Sequence, residues 1–185
     1  MFSGYVTGRA LSSLYGSWGY SKDKAALYGA LSSFGILSFM EAGDSFSAQY
    51  GFSYEDFIIN GLGSYLGYML ETNHDLDRKI DLRIEYKPSA DNGIDIFTDY
   101  ENSKYLVALK LDGFSSIRNK YLKYLERHLG YYTRGYDDIN KQKERNIYVG
   151  LGLNLSKLFR EKSYKKTATF LNYYQAPYTS VQIKL

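Results

Sequence analysis

Two hydrophobic periods divide the chain. Up to about residue 74, apolar and small residues recur at helical spacing. From residue 79, apolar and polar positions alternate. The first part reads as helices over 3–17, 21–43 and 53–70. Ser21 stands as an N-cap with Asp23 in the first turn, and Gly43 is a natural stop. Ser53 followed by Asp56 has the spacing of a capping box, with Asp in place of Glu. Small residues fall four apart at Ala25, Gly29 and Ser33, and again at Gly63 and Gly67. Such stripes let helix backbones approach closely, so a tight helical hairpin is expected.

In the second part, "KIDLRIEYK" (79–87) alternates strictly, with Ile80, Leu82, Ile84 and Tyr86 on one face and Asp81, Arg83, Glu85 and Lys87 on the other. This predicts a half-buried strand with the apolar set inward. The segment 104–114 continues it, with Tyr105, Val107, Leu109 and Leu111 inward, followed by 124–136, 145–159 and 179–185. Ile147, Val149, Leu151, Leu153 and Leu155 stay in step across the fourth segment. Polar connections such as "SADNG" and "DDINKQKE" separate them. The expectation is an α+β single domain over 1–185. An N-terminal helical hairpin (1–74) packs on a C-terminal antiparallel curved sheet or partial barrel of four to five strands (79–185). Tyr, Gly and Asn on the second face also suit outer-membrane strands, although five are too few to close a membrane barrel.

Composition narrows the function classes. The net charge of +3 comes from 23 basic and 20 acidic residues, too mild a balance for a nucleic-acid partner. Tyr is over-used, at 21 residues, and this amphipathic ring favours strands, interfaces and membrane boundaries. There is no Cys, which excludes disulfides, thiolate chemistry and thiolate metal sites, and leaves no lipobox cysteine in the sequence as given. Residues 1–20 carry no secretory pattern, and the expectation is that a targeting segment precedes Met1. The most apolar run, 25–40, has the length of a buried helix or re-entrant segment. The basic segment 161–170 reads as a solvated face.

No zinc spacing is built on His74 or His128. The chain also has no dinucleotide or phosphate-loop glycine pattern and no G-x-S-x-G elbow, so nucleotide binding and triad hydrolysis are not expected. The candidate chemistry sits where the second and third helices meet. Glu41 and Asp44 share one helix face, as do Asp56 and Asn60, and the hairpin brings these pairs together. Such a polar group between apolar helices serves either as capping, or as a site for oxygen-ligand metal binding or acid–base work. It specifies no particular metal or cofactor. Asp99 and Asn102, just before a strand, form either a turn or a further binding position.

"EAGDSFSAQYGFSYEDFIINGLG" (41–63) resembles the E-x-x-D-[GS]-F-S-x-x-[WY]-G-[FA]-S-x-x-D-x-x-x-N-x-x-G signature of the YfiM-like family of predicted periplasmic lipoproteins, a domain of unknown function. "DYENSKYL", "HLGYYTRGY" and "RNIYVGLGLNL" are similar to later segments of that family, in the same order. The resemblance implies a Gram-negative envelope location, periplasmic or outer-membrane-associated, with a membrane surface or envelope lipid as partner. It carries Glu41, Asp44, Asp56, Asn60, Asp99 and Asn102 over as matched polar positions. It also implies an Asp-Lys-x-x-His motif ahead of the first helix, which Asp23-Lys24, with Leu27 at the His position, does not supply. Three functional readings follow: a structural or binding protein of the envelope, an envelope lipid or glycan hydrolase using the acidic cluster, and a small ligand-binding barrel.

Overall fold

The computed structural model describes residues 1–44, 46, 51–88, 99–136 and 141–185, the side chain of Asp44 excepted. They form two compact units, Met1–Asp77 and Arg78–Leu185.

In the first unit α1 (Phe2–Ser17), α2 (Lys22–Asp44) and α3 (Tyr54–Thr72) pack mutually, and a single turn, α4 (His74–Asp77), follows. The element bounds follow the helical pattern closely, but α2 runs through Gly43 instead of ending there. The small-residue stripes lie in the helix seams, as expected. A methyl group at Gly29 would sit 2.5 Å from the Ser12 amide nitrogen and 2.6 Å from the Gly8 carbonyl oxygen. At the centre, the Ser33 hydroxyl donates to the Gly4 carbonyl (3.0 Å) and the Ser64 hydroxyl donates to Ser33 (3.2 Å), so these buried groups are satisfied. Arg9 pairs with Glu71 and Asp77, both at 2.8 Å.

Gly, Ala and Ser occupy most of the seams, with Tyr5 and Leu70 the bulky side chains buried beside them, so many other bulky apolar side chains are left outside. Leu31, Ile36, Met40 and Phe39 (81% exposed) on α2 point outward, as do Ile58, Leu62 and Tyr65 on α3. The reading of 25–40 as a buried helix is therefore corrected. Lys22–Gly43 is long and apolar enough to cross a membrane by length and composition, and only 22% of its apolar window is buried.

The second unit is an antiparallel meander, β1 (Ile80–Tyr86), β2 (Ser103–Lys110), β3 (Leu125–Arg134), β4 (Glu144–Leu153) and β5 (Ser180–Lys184), paired in that order. The fourth strand ends earlier than the alternation suggests. Asn154 accepts from the Lys157 amide (3.0 Å) and starts α5 (Leu155–Glu161), so Leu155 belongs to a helix; α6 (Lys165–Phe170) precedes β5. Segments 89–98 and 137–140, which include the expected loop "SADNG", lie outside the described residues.

Four strand spacings would separate the edges of a flat sheet by about 19 Å. Yet Gln182 on β5 donates to Glu85 on β1 at 2.9 Å, and Lys104 on β2 donates to Gln182 at 2.6 Å. The sheet is therefore curled, and the face carrying these three residues is its inside. On β1 both faces are buried, the expected Leu82, Ile84 and Tyr86 included, but on β2, β3 and β4 the expected inward set is reversed. Rows such as Val107–Leu129–Val149–Ile183 run across the outer face, and Leu129 (55%) and Ile183 (66%) are exposed. Asp81, Arg83, Glu126 and His128 are inside and buried.

Candidate functional site

Strand alternation sends Asp81 and Arg83 from β1, Lys110 from β2, and Glu126 and His128 from β3 to the same inner face, and register brings them together. Arg83 donates to Glu126 Oε1 (2.7 Å) and Oε2 (3.1 Å), to Asp81 (2.8 Å) and to Gln175 (2.9 Å). Lys110 donates to the other oxygen of Asp81 at 2.7 Å. His128 Nε2 is 2.9 Å from Glu126 Oε1. Burial alone would lower the Arg83 pKa, but the Asp81 and Glu126 carboxylates outweigh it and hold it above the ordinary value. Two cations face two carboxylates, which is the condition under which buried charge is tolerated.

Space for this cluster comes from glycines on the same face. The His128 imidazole lies over Gly152, and the Tyr148 ring lies over Gly130. Leu106, Ala108 and Tyr148, with Tyr132 against them, form a small apolar core beside the charges. Sequence analysis missed this network. Its signal was present: opposite charges at alternate positions of 81–83 and 126–128, with glycines at 130, 150 and 152 on the matching face.

The hairpin residues take more local roles. The Ser53 hydroxyl accepts from the Asp56 amide at 3.1 Å, as the capping-box spacing implies. The reciprocal acceptor is Glu41, whose Oε1 takes the Ser53 amide at 2.6 Å. A carboxylate near the end of α2 thus completes the N-terminal cap of α3. Asp56 is exposed, and the Asn60 side-chain oxygen lies 3.4 Å from the Met1 amino group. Asp44 contributes backbone to α2, and its side chain, like all of Ser45, lies outside the described residues. Glu41 by its carboxylate and Asp56 by its backbone amide thus serve one cap, and Asn60 lies one turn further along α3.

Asp99 and Asn102 meet directly. The Asn102 side-chain amide donates to both Asp99 oxygens (3.0 and 2.9 Å), its backbone amide donates to the first (3.1 Å), and Tyr86 donates to the second (3.1 Å). This is a side-chain-capped turn at the head of β2. Among the described residues, no group of three or more His, Asp or Glu side chains is placed to share a metal ion.

Residues 1–72 match a family model described as predicted periplasmic lipoprotein (DUF2279). No curated protein and no solved structure matches the chain. The match takes in α1, α2 and α3, and with them the signature at 41–63. The later segments of the resemblance, in the sheet, lie beyond it. That family description supports an envelope location, and the three-helix part of the chain is similar to the DUF2279 family of predicted periplasmic lipoproteins.

Proposed function

We propose that this is a membrane-associated envelope protein with a structural or binding role, which rests its bulky apolar surfaces against lipid. One observation carries the reading: beside a few buried bulky residues such as Tyr5, Leu70, Leu106 and Tyr148, both units keep many small or polar groups inside and turn many large apolar side chains outward. The helical seams are built from Gly, Ala and Ser, while Phe39, Met40, Ile58 and Leu62 face outward. The sheet keeps Asp81, Arg83, Glu126 and His128 inside and exposes Leu129, Ile147, Leu151, Val181 and Ile183. In water, burial of apolar side chains drives folding and gives the opposite arrangement. Helices packed through small residues, and strands with polar inner and apolar outer faces, are what a lipid environment favours. Contiguous apolar surface of this kind marks a contact site for protein or membrane, and the periplasmic description of the family adds the setting.

Flotation with phosphatidylcholine vesicles tests this. The wild-type chain is expected to float with the lipid. The double variant Leu129→Glu, Ile183→Glu changes two exposed positions and is expected to keep its circular dichroism but bind less. A folded wild-type chain that stays out of the lipid fraction would remove the reading.

A further inference from the structure

The curl of the sheet leaves a cleft of about 340 Å³ between its two edges, lined from β1, β2, β3 and β5. We infer that this cleft is a binding site for a phosphate-class anion, held chiefly by Lys87 and Arg134 with Asn102 and Tyr178 beside them. Three cations line it, Lys87, Lys104 and Arg134, against one carboxylate, Glu85. That carboxylate is already engaged: it accepts from Gln182 at 2.9 Å and lies 3.5 Å from the Lys104 ammonium. Lys104 is therefore neutralised, whereas among the described residues Lys87 and Arg134 have no carboxylate partner. Among the described residues, two positive charges without a carboxylate partner thus line one concave site.

Aromatic rings hold these cations in place. The Lys87 ammonium is 5.1 Å from the Tyr178 ring centre, and the Arg134 guanidinium is 4.5 Å from that of Tyr132. Arg134 Nη1 also donates to the Thr133 carbonyl at 2.6 Å, so it is the remaining guanidinium N–H groups and the Lys87 ammonium that are offered to a ligand. Tyr178 meets Lys87 from a left-handed backbone conformation (φ 65°), which is costly for a non-glycine residue and is concentrated at functional sites. Arg can grip phosphate oxygens in pairs, and Lys supplies a point charge. The cleft is lined mostly by polar and charged residues and is at the small end of ligand pockets, which suits an anionic headgroup or free phosphate better than an acyl chain.

The site does not depend on the lipid contact proposed above, which is read with uncharged vesicles. Its own test titrates inorganic phosphate into the wild-type chain, into Lys87→Gln, Arg134→Gln, and into a control, Lys165→Gln, Lys166→Gln, altered on exposed α6 positions far along the chain. Each protein is also floated with phosphatidylcholine vesicles with and without phosphatidylglycerol. Charge-assisted contacts of this kind predict binding weakened about tenfold or more in the cleft variant and unchanged in the control. If the cleft variant loses phosphate binding and also any preference for the anionic vesicles, the ligand is a lipid headgroup. If only phosphate binding falls, it is a free anion. The proposal is overturned if the folded wild-type chain shows neither saturable phosphate binding nor a vesicle preference that the cleft variant removes. Equal losses in the control would overturn it too.

Discussion

The Arg83 guanidinium and the Glu126 carboxylate, 43 positions apart, are joined by two hydrogen bonds inside the curled sheet, and each side chain is almost wholly removed from solvent. The pair ties β1 to β3 across β2, because Asp81, which also binds Arg83, is held in turn by Lys110 of β2. Removing one member leaves the others buried and uncompensated. Arg83→Met should therefore destabilise the chain by about 3–5 kcal/mol. Glu126→Gln, which keeps the shape but not the charge, should fall on the same side. Denaturant unfolding followed by circular dichroism reads both; a loss below about 1 kcal/mol for Arg83→Met would mean that the pair is not a keystone of the sheet.

Gly152 makes room for His128. A methyl group there would fall on the imidazole ring, which is buried and already fixed through Nε2 to Glu126. Gly152→Ala should cost about 1–3 kcal/mol, the usual range for overpacking a filled interior. A histidine ring resonance that shifts on substitution would locate the strain. An unshifted ring in an equally stable protein would contradict the packing.

Much of this architecture was legible in the chain, and the reason lies in the kind of signal each part carries. Helical spacing and the Ser53 cap place α1, α2 and α3, and alternation places β1 to β4 within a few residues. Alternation states that two faces differ; it does not state which is inside. Assigning Tyr105, Val107 and Leu109 inward applied the rule that holds in water, and the curl puts Leu106, Ala108 and Lys110 there instead. Glu41 escaped for another reason: its partner, the Ser53 amide, lies 12 positions away across the hairpin, where a local capping motif has no reach.

Tyr148 gives the sheet a response to alkali. Its hydroxyl is buried without a hydrogen-bond partner among the described residues, and burial first, with Glu85 and Tyr132 adding, pushes its pKa well above the ordinary 10.0. A raised pKa means that the folded state keeps the proton longer than the unfolded chain does. The contribution is present in full below pH 10 and is lost as pH climbs from there toward the folded value. Each pH unit in that window removes up to about 1.4 kcal/mol. Tyr148→Phe should leave stability at neutral pH equal or slightly higher, since it deletes an unpartnered buried hydroxyl. It should also flatten the decline above pH 10, as urea midpoints measured across that range would show.

Two of the three glycines of α2, Gly35 and Gly29, should respond in opposite directions. Gly35 has nothing near the place a methyl would occupy, so Gly35→Ala should stabilise by about 0.5–1 kcal/mol through the unfolded chain. Gly29 faces backbone atoms of α1 that cannot rotate away, so Gly29→Ala should force α1 and α2 apart and cost about 1–3 kcal/mol. Thermal unfolding of the two variants side by side distinguishes a seam from a free face. Matching shifts would mean that the stripe is not a contact.

Glu41 offers the sharpest division between capping and chemistry at the hairpin. Its carboxylate takes the Ser53 amide at the start of α3, while the Ser53 hydroxyl takes the Asp56 amide, so two of the helix's unpaired donors are satisfied. Ser53→Ala should cost about 0.5–2 kcal/mol, the range measured for loss of a cap. Glu41→Gln keeps an oxygen for the same bond and should lose less than Glu41→Ala, which leaves the amide without this acceptor. If capping is the whole role, the ranking in stability will be wild type, then Gln, then Ala, and lipid binding will follow it. A Gln variant as stable as wild type that nevertheless loses a function of the folded protein would show that the charge of Glu41, and not only its hydrogen bond, is needed at this position.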